Sequence, residues 1–170
     1  GIGTASLRVG GVTVGAIVAC NAVGDVVDPN SGMVIAGARS SDGQRLRDTR
    51  AALLAGEPMT PVLAGTNTTI GVIATDAVLS KPQAQRLAQV AHDGLARAIN
   101  PVHTLLDGDT LFALATGQSG QTASMMLLAT LAAEVTARAV VRAIAAAQSL
   151  RIGAMYWPAA CDFGSRGNAA

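Results

Sequence analysis

Asn67, Thr68 and Thr69 stand directly before the apolar run Ile70-Gly71-Val72-Ile73-Ala74. A Thr at the mouth of a strand, with an Asn before it, offers a hydroxyl beside a peptide bond it could attack. Amides resist hydrolysis because the carbonyl is resonance-stabilised and the nitrogen leaves poorly, and a side-chain nucleophile divides the task into acylation and deacylation. A hydroxyl at neutral pH needs a base. An N-terminal Thr carries one in its own α-amine, whose ordinary pKa is about 8. That chemistry requires scission in front of the Thr, and the same hydroxyl can bring it about. It attacks the preceding carbonyl, an N-to-O shift gives an ester, and water releases the new N-terminus. On residue type alone, either Thr68 or Thr69 could serve.

Other groups could assist. Asp107 and Asp109 flank Gly108, and in an extended segment residues two apart share a side, so the two carboxylates can form one polar cluster beside a nucleophile. The inert alternative is an Asp-Gly-Asp turn before a strand. Asn21 closes an apolar run, so its amide is expected to be partly buried and to need partners. His92 and His103 invite a triad with the Thr, but an N-terminal nucleophile needs no imidazole base, and both are read as structural. No Cys/His/Asp spacing suggests a metal, and neither GxGxxG nor a phosphate loop occurs, so no cofactor is called for.

The elements around these residues follow from periodicity. Residues 4–9 and 12–20 are rich in Val, Thr and Ile and meet at Gly10-Gly11, a hairpin pattern. A turn falls at 25–30, with Pro29, and 32–66 reads as a long irregular connection, uncommon unless functional or mobile. A strand at 70–75 follows. Ser80 can cap a helix with Pro82 in its first turn, and Ala84, Leu87, Ala88, Ala91, Leu95, Ala98 and Ile99 recur at helical spacing until Pro101. A strand at 111–116 and an Ala-rich helix from about 122 to 149, with Glu134 and Arg138 at i,i+4, complete the pattern. A mixed sheet with helices packed on it results, an α/β (α+β) chain.

Composition narrows the classes. Half of the 170 residues are hydrophobic, yet aromatics are confined to one Trp, one Tyr and two Phe, so the core is built from small side chains and is thin. The net charge is +1, and no basic helical face with interleaved aromatics suggests nucleic acid. Arg39, Arg45, Arg47 and Arg50 cluster, but Asp42 and Asp48 sit among them, as in a solvated loop. Two cysteines are too few for a disulfide framework, and Cys20, in an apolar run, reads as a reduced core residue. The longest apolar stretch, 123–133, is short of a membrane span. The expectation is a soluble, cytoplasmic protein without membrane or nucleic-acid partners.

Longer stretches carry a resemblance. GIGTAS at 1–6, VGAIVACNAVGDVVDP at 14–29, NTTIGVIATDA at 67–77 and AQRLAQVAHDGLARAINPVHTLLDGDTLFALATG at 84–117, together with the Ala-rich run to about residue 148, resemble the DmpA-type self-processing peptidases and amidases (S58-like). Within them the chain is most similar to the nylon-oligomer hydrolase branch, which uses Thr as nucleophile. The resemblance implies a four-layer αββα sandwich of the N-terminal-nucleophile-hydrolase kind. Its cleavage register implies scission between Asn67 and Thr68, with Thr68 as nucleophile. It implies an oxyanion-hole donor at Asn21, and the acidic pair of the Thr branch at Asp107 and Asp109.

The same resemblance implies an organisation. Residues 1–67 would end an α-subunit portion, 68–150 would be a β-subunit portion carrying the nucleophile, and 151–170 reads as a divergent, disordered tail. An upstream portion would supply the rest of the sandwich and an active-site lysine, which Lys81, beyond the nucleophile, cannot be. The expected substrates are small peptides or amide oligomers, and the expected assembly is a homo-oligomer of cleaved heterodimers. The competing expectations are an acyltransferase of the ornithine-acetyltransferase-like fold and an inactive fragment that needs its upstream half.

Overall fold

A computed structural model describes residues 1–58 and 65–164. Strands β1 (Ile2–Val9) and β2 (Val12–Ala19) form the expected hairpin, turning at Gly10 and Gly11 with φ of 60° and 83°. Two consecutive positive φ values are what a two-residue loop between twisted strands demands, and glycine meets that demand without a Cβ clash. β5 (Ile70–Thr75) pairs antiparallel with β2, and β7 (Thr110–Ala115) pairs parallel with β5, giving one sheet in the order β1-β2-β5-β7. A parallel neighbour needs a crossover, and α2 (Lys81–Ala98) supplies it. The Gln83 side chain accepts the Ser80 backbone N–H at 2.8 Å at its start.

α2 and the longer α3 (Met125–Ala145) cover one sheet face. Val12, Val14, Val18 and Ile73 from the sheet meet Leu87, Leu95, Leu128, Val135 and Val140 from the helices, all fully buried. Small residues bring these layers close: a Cβ on Gly94 would lie 2.3 Å from the Ala133 carbonyl oxygen of α3, and one on Gly3 would lie 2.1 Å from that of Ala139. Glu134 pairs with Arg138 one turn on at 2.8 Å, as expected, and also with Arg97 of α2 at 2.9 Å. The opposite sheet face is open. Its rows run Ile2, Ala19, Ile70, Thr110, then Thr4, Ile17, Val72, Phe112, then Ser6, Gly15, Ala74, Leu114. Phe112 is 54% and Ile17 49% exposed there.

Two sequence expectations change. The connection from 32 to 66 is not structureless over its described part. β4 (Val34–Ala36) pairs with β3 (Asp25–Val27), which also pairs with β6 (Ile99–Asn100) at the end of α2. The short helix α1 (Thr49–Leu54) follows, capped by Asp48, whose side chain accepts the Ala51 N–H at 2.8 Å. Local side-chain bonds organise this segment where hydrophobic periodicity is silent: Asp25, fully buried, accepts from the Thr49 N–H at 2.6 Å, the Thr49 hydroxyl at 2.9 Å and the Ala38 N–H at 2.9 Å. The arginine cluster lies in this organised loop, with Arg47 paired to Glu57 at 2.7 Å.

Beyond Leu150 the expected disorder gives way to a second hairpin. β8 (Leu150–Ile152) pairs with β9 (Met155–Trp157) around Gly153 (φ 58°), and a single helical turn, α4 (Cys161–Gly164), follows. Three-residue strands are too short to show a period. The end of that expectation, 165–170, and residues 59–64 of the long connection lie outside the described residues.

Candidate active site

The ends of three strands, β2, β5 and β7, converge at one end of the sheet. The register pairs Ala19 with Ile70 and Ile70 with Thr110, so the residues just after β2 and just before β5 and β7 must be neighbours. Pairing continues past the strands. The Thr68 N–H donates to the Asn21 carbonyl at 2.9 Å, the Gly108 N–H to the Asn67 carbonyl at 3.1 Å and the Thr110 N–H to the Thr69 carbonyl at 2.9 Å. Asn67 and Asp107 form an isolated parallel bridge. All five residues singled out from the sequence, Asn21, Asn67, Thr68, Asp107 and Asp109, therefore gather here.

Alternation along the chain separates the two threonines. Thr69 is fully buried, its hydroxyl directed to the Cys20 sulfur at 3.9 Å. Burial pushes the Cys20 thiol up from its ordinary value, which keeps it protonated and unreactive. Thr68 faces the other way, half-buried, and its hydroxyl donates to the Asn67 carbonyl oxygen at 2.6 Å. That oxygen thus receives the Thr68 hydroxyl and the Gly108 N–H together.

Among the described residues neither carboxylate is hydrogen-bonded to the Thr68 hydroxyl, which donates to the Asn67 carbonyl. Asp107 ties loops together: it accepts from the Val23 N–H at 2.9 Å, the Thr104 N–H at 3.2 Å and the Thr104 hydroxyl at 2.6 Å. Asp109, with a side chain 2% exposed, accepts from the Thr69 N–H at 2.8 Å and faces His103 Nδ1 at 2.8 Å. Asn21 is exposed, not half-buried as its place after an apolar run suggests, because the chain leaves the sheet there. Its side-chain amide donates to the Thr66 carbonyl at 2.8 Å.

Gly108 escapes the sequence reading, and His103 and His92 enter it only as structural residues. Gly108 supplies the N–H on the Asn67 carbonyl, and a Cβ there would sit 2.7 Å from the Thr68 hydroxyl oxygen. A Gly between two aspartates signals a turn, and only the parallel pairing shows which carbonyl its N–H meets. His103 and His92 face each other through Nε2 and Nδ1 at 3.1 Å, with His103 against Asp109. Among the described residues no group of three His, Cys, Asp or Glu side chains is arranged to hold a metal ion, and no helix is long and apolar enough to cross a membrane.

Comparison with known proteins gives this geometry a context. The model of peptidase family S58 matches residues 1–154. An uncharacterized aminopeptidase of Mycobacterium leprae is 44% identical over 165 residues, covering 88% of this chain and 45% of that protein. A 6-aminohexanoate-oligomer endohydrolase of a Kocuria species is 36% identical over 121 residues, covering 69% and 34%. The chain spans less than half the length of these relatives. A Burkholderia β-aminopeptidase superposes with a TM-score of 0.60 at 26% identity, over 100% of this chain and 50% of that one. The L-aminopeptidase D-Ala-esterase/amidase of Ochrobactrum anthropi, described as a variant of the Ntn-hydrolase fold, gives 0.58 at 25%, over 88% and 41%. The fold is thus an α+β arrangement of the Ntn-hydrolase kind, and with a family match across nearly its whole length the chain belongs to peptidase family S58.

Proposed function

We propose that the protein carrying this chain is an N-terminal-nucleophile amidohydrolase, cleaving itself between Asn67 and Thr68 and then hydrolysing amide bonds through an acyl-enzyme on Thr68. The observation that carries this reading is the Asn67 carbonyl oxygen, met at 2.6 Å by the Thr68 hydroxyl and at 3.1 Å by the Gly108 N–H. In self-cleavage the Thr68 oxygen adds to the Asn67 carbonyl carbon, and the developing oxyanion is held by the Gly108 N–H. The C–N bond breaks as the Thr68 nitrogen takes a proton. Water then hydrolyses the ester, leaving a carboxylate on Asn67 and restoring the Thr68 hydroxyl beside a free α-amine. That amine serves as base for the incoming amide.

The neighbours fall into roles on this reading. Asp109 fixes the Thr68–Thr69 peptide through the Thr69 N–H, and Asp107 holds the 21–23 segment and the 104–109 loop in register. The Asn21 amide is engaged by Thr66, on the segment that scission releases. Once freed, it becomes available to donate to a substrate carbonyl. The names of the relatives suggest small peptides or amide oligomers as substrates. The open apolar face suits a second sheet from an upstream portion, within an oligomer of cleaved heterodimers in the cytoplasm. The test is intact-mass analysis and N-terminal sequencing of the full-length protein beside its Thr68→Ala variant. A new N-terminus at Thr68 in the first, with an uncut chain and no amide hydrolysis in the second, is expected. Scission before Thr69, or activity in Thr68→Ala, refutes the reading.

A further inference from the structure

His103 and His92 lie 11 residues apart, one in the loop before β7 and the other on α2, yet form one hydrogen-bonded row with Asp109. Asp109 is almost wholly shielded, and a shielded carboxylate is costly unless both oxygens find donors. One oxygen takes the Thr69 N–H; the other is left to His103 Nδ1. A carboxylate opposite Nδ1 favours the proton on that nitrogen, and the other ring nitrogen, Nε2, meets His92 Nδ1 at 3.1 Å. His103 also has φ 53°, the one non-glycine residue with positive φ among those described. Such a conformation carries a local cost and persists where the surroundings hold it. Here the ring is held at both nitrogens.

We propose that His103, oriented by His92, is a positioning residue for the self-cleavage and turnover chemistry: it holds Asp109 against the Thr69 amide and so fixes Thr68 at the Asn67 carbonyl. The proposal rests on the reading of Thr68 as nucleophile. His103 touches no reacting atom. Its effect passes through the carboxylate to the peptide that follows the nucleophile, where a displacement of about 1 Å can cost on the order of 100-fold in rate.

The deciding pair is His103→Asn and His103→Asp in the full-length protein, with Thr68→Ala alongside. Asn and Asp have the same shape and both tolerate positive φ, but at pH 8 Asn presents a donor to Asp109 and Asp an acceptor. Freshly synthesised precursor is followed by intact mass for the first-order appearance of the Thr68 N-terminus. Processed enzyme is then assayed for kcat and KM on a chromogenic amino-acid anilide. His103→Asn should keep both rates within about threefold of wild type. His103→Asp should lose about 10- to 100-fold in processing and in kcat with little change in KM. Equal rates in the two variants, whether both fast or both slow, overturn the proposal while leaving Thr68 in place. Scission or hydrolysis persisting in Thr68→Ala removes the nucleophile on which it rests.

Discussion

Gly108→Ala puts the geometry of self-cleavage under direct strain. The added Cβ would lie 2.7 Å from the Thr68 hydroxyl oxygen, about 0.7 Å inside an ordinary contact of 3.4 Å. The backbone of Gly108 does not have the positive φ that excludes side chains, so the clash with Thr68 is the main penalty. The hydroxyl can yield in two ways. It can rotate away from its staggered position, where 30° off costs roughly 0.5–1.5 kcal/mol, and lose its 2.6 Å approach to the Asn67 carbonyl. Alternatively the two loops part, stretching the 3.1 Å bond from the Gly108 N–H to the same carbonyl. Either displacement falls on the reacting atoms, where about 1 Å is worth on the order of 100-fold. The expected result is a 10- to 100-fold slower self-cleavage, with global stability changed by less than about 1 kcal/mol because Gly→Ala also narrows the unfolded ensemble. Precursor made by cell-free synthesis, quenched at intervals and weighed intact, gives the rate, and thermal unfolding gives the stability. A Gly108→Ala protein that processes at the wild-type rate would show that the Thr68 hydroxyl does not act from where it is seen.

Two further outcomes follow from buried and titrating groups. Asp25→Ala removes three hydrogen bonds to one buried carboxylate and strands the N–H groups of Ala38 and Thr49. At about 1–3 kcal/mol for each stranded donor, full-length protein should lose roughly 3 kcal/mol, a fall of about 3–5 °C in Tm for a chain more than twice this length; an unchanged Tm contradicts the anchoring of the 38–49 segment. His92 is held below its ordinary value, first by burial and then by His103. A depressed pKa in the fold means that the neutral ring is favoured there. Its contribution to stability is therefore present above about pH 6.5, its unfolded value, and is lost as pH falls through the lower folded value. Melting curves from pH 8 to pH 5 should show a decline that His92→Leu reduces, and a variant with the same decline would contradict the shift.

Local rules made much of this protein legible in its sequence. Gly10-Gly11 between β-branched runs dictated the first hairpin, the spacing from Ala84 to Ile99 dictated α2 with its Ser80 start and Pro101 stop, and the run after Thr69 dictated β5. These elements depend on φ preferences and on hydrophobic period, which neighbouring residues express by themselves. Thr68, Asn67, Asn21, Asp107 and Asp109 were legible as a set because their surrounding stretches resemble one family.

Partnership belonged to the tertiary structure. β5 and β7 lie side by side and parallel because α2 carries the chain back over the sheet, and that registry brings Gly108 to the Asn67 carbonyl and Asp109 to the Thr69 N–H. The same pairing turns Thr69 into the core and leaves the Thr68 hydroxyl against the Asn67 carbonyl, an orientation that residue type left open. The loop from 37 to 54 was equally opaque: its order comes from the buried Asp25 carboxylate and the Asp48 cap, bonds between residues with no periodic signature. Periodicity states which face of an element avoids water; it does not state which polar atom will meet which across a sheet edge, because that depends on how distant segments are brought into register.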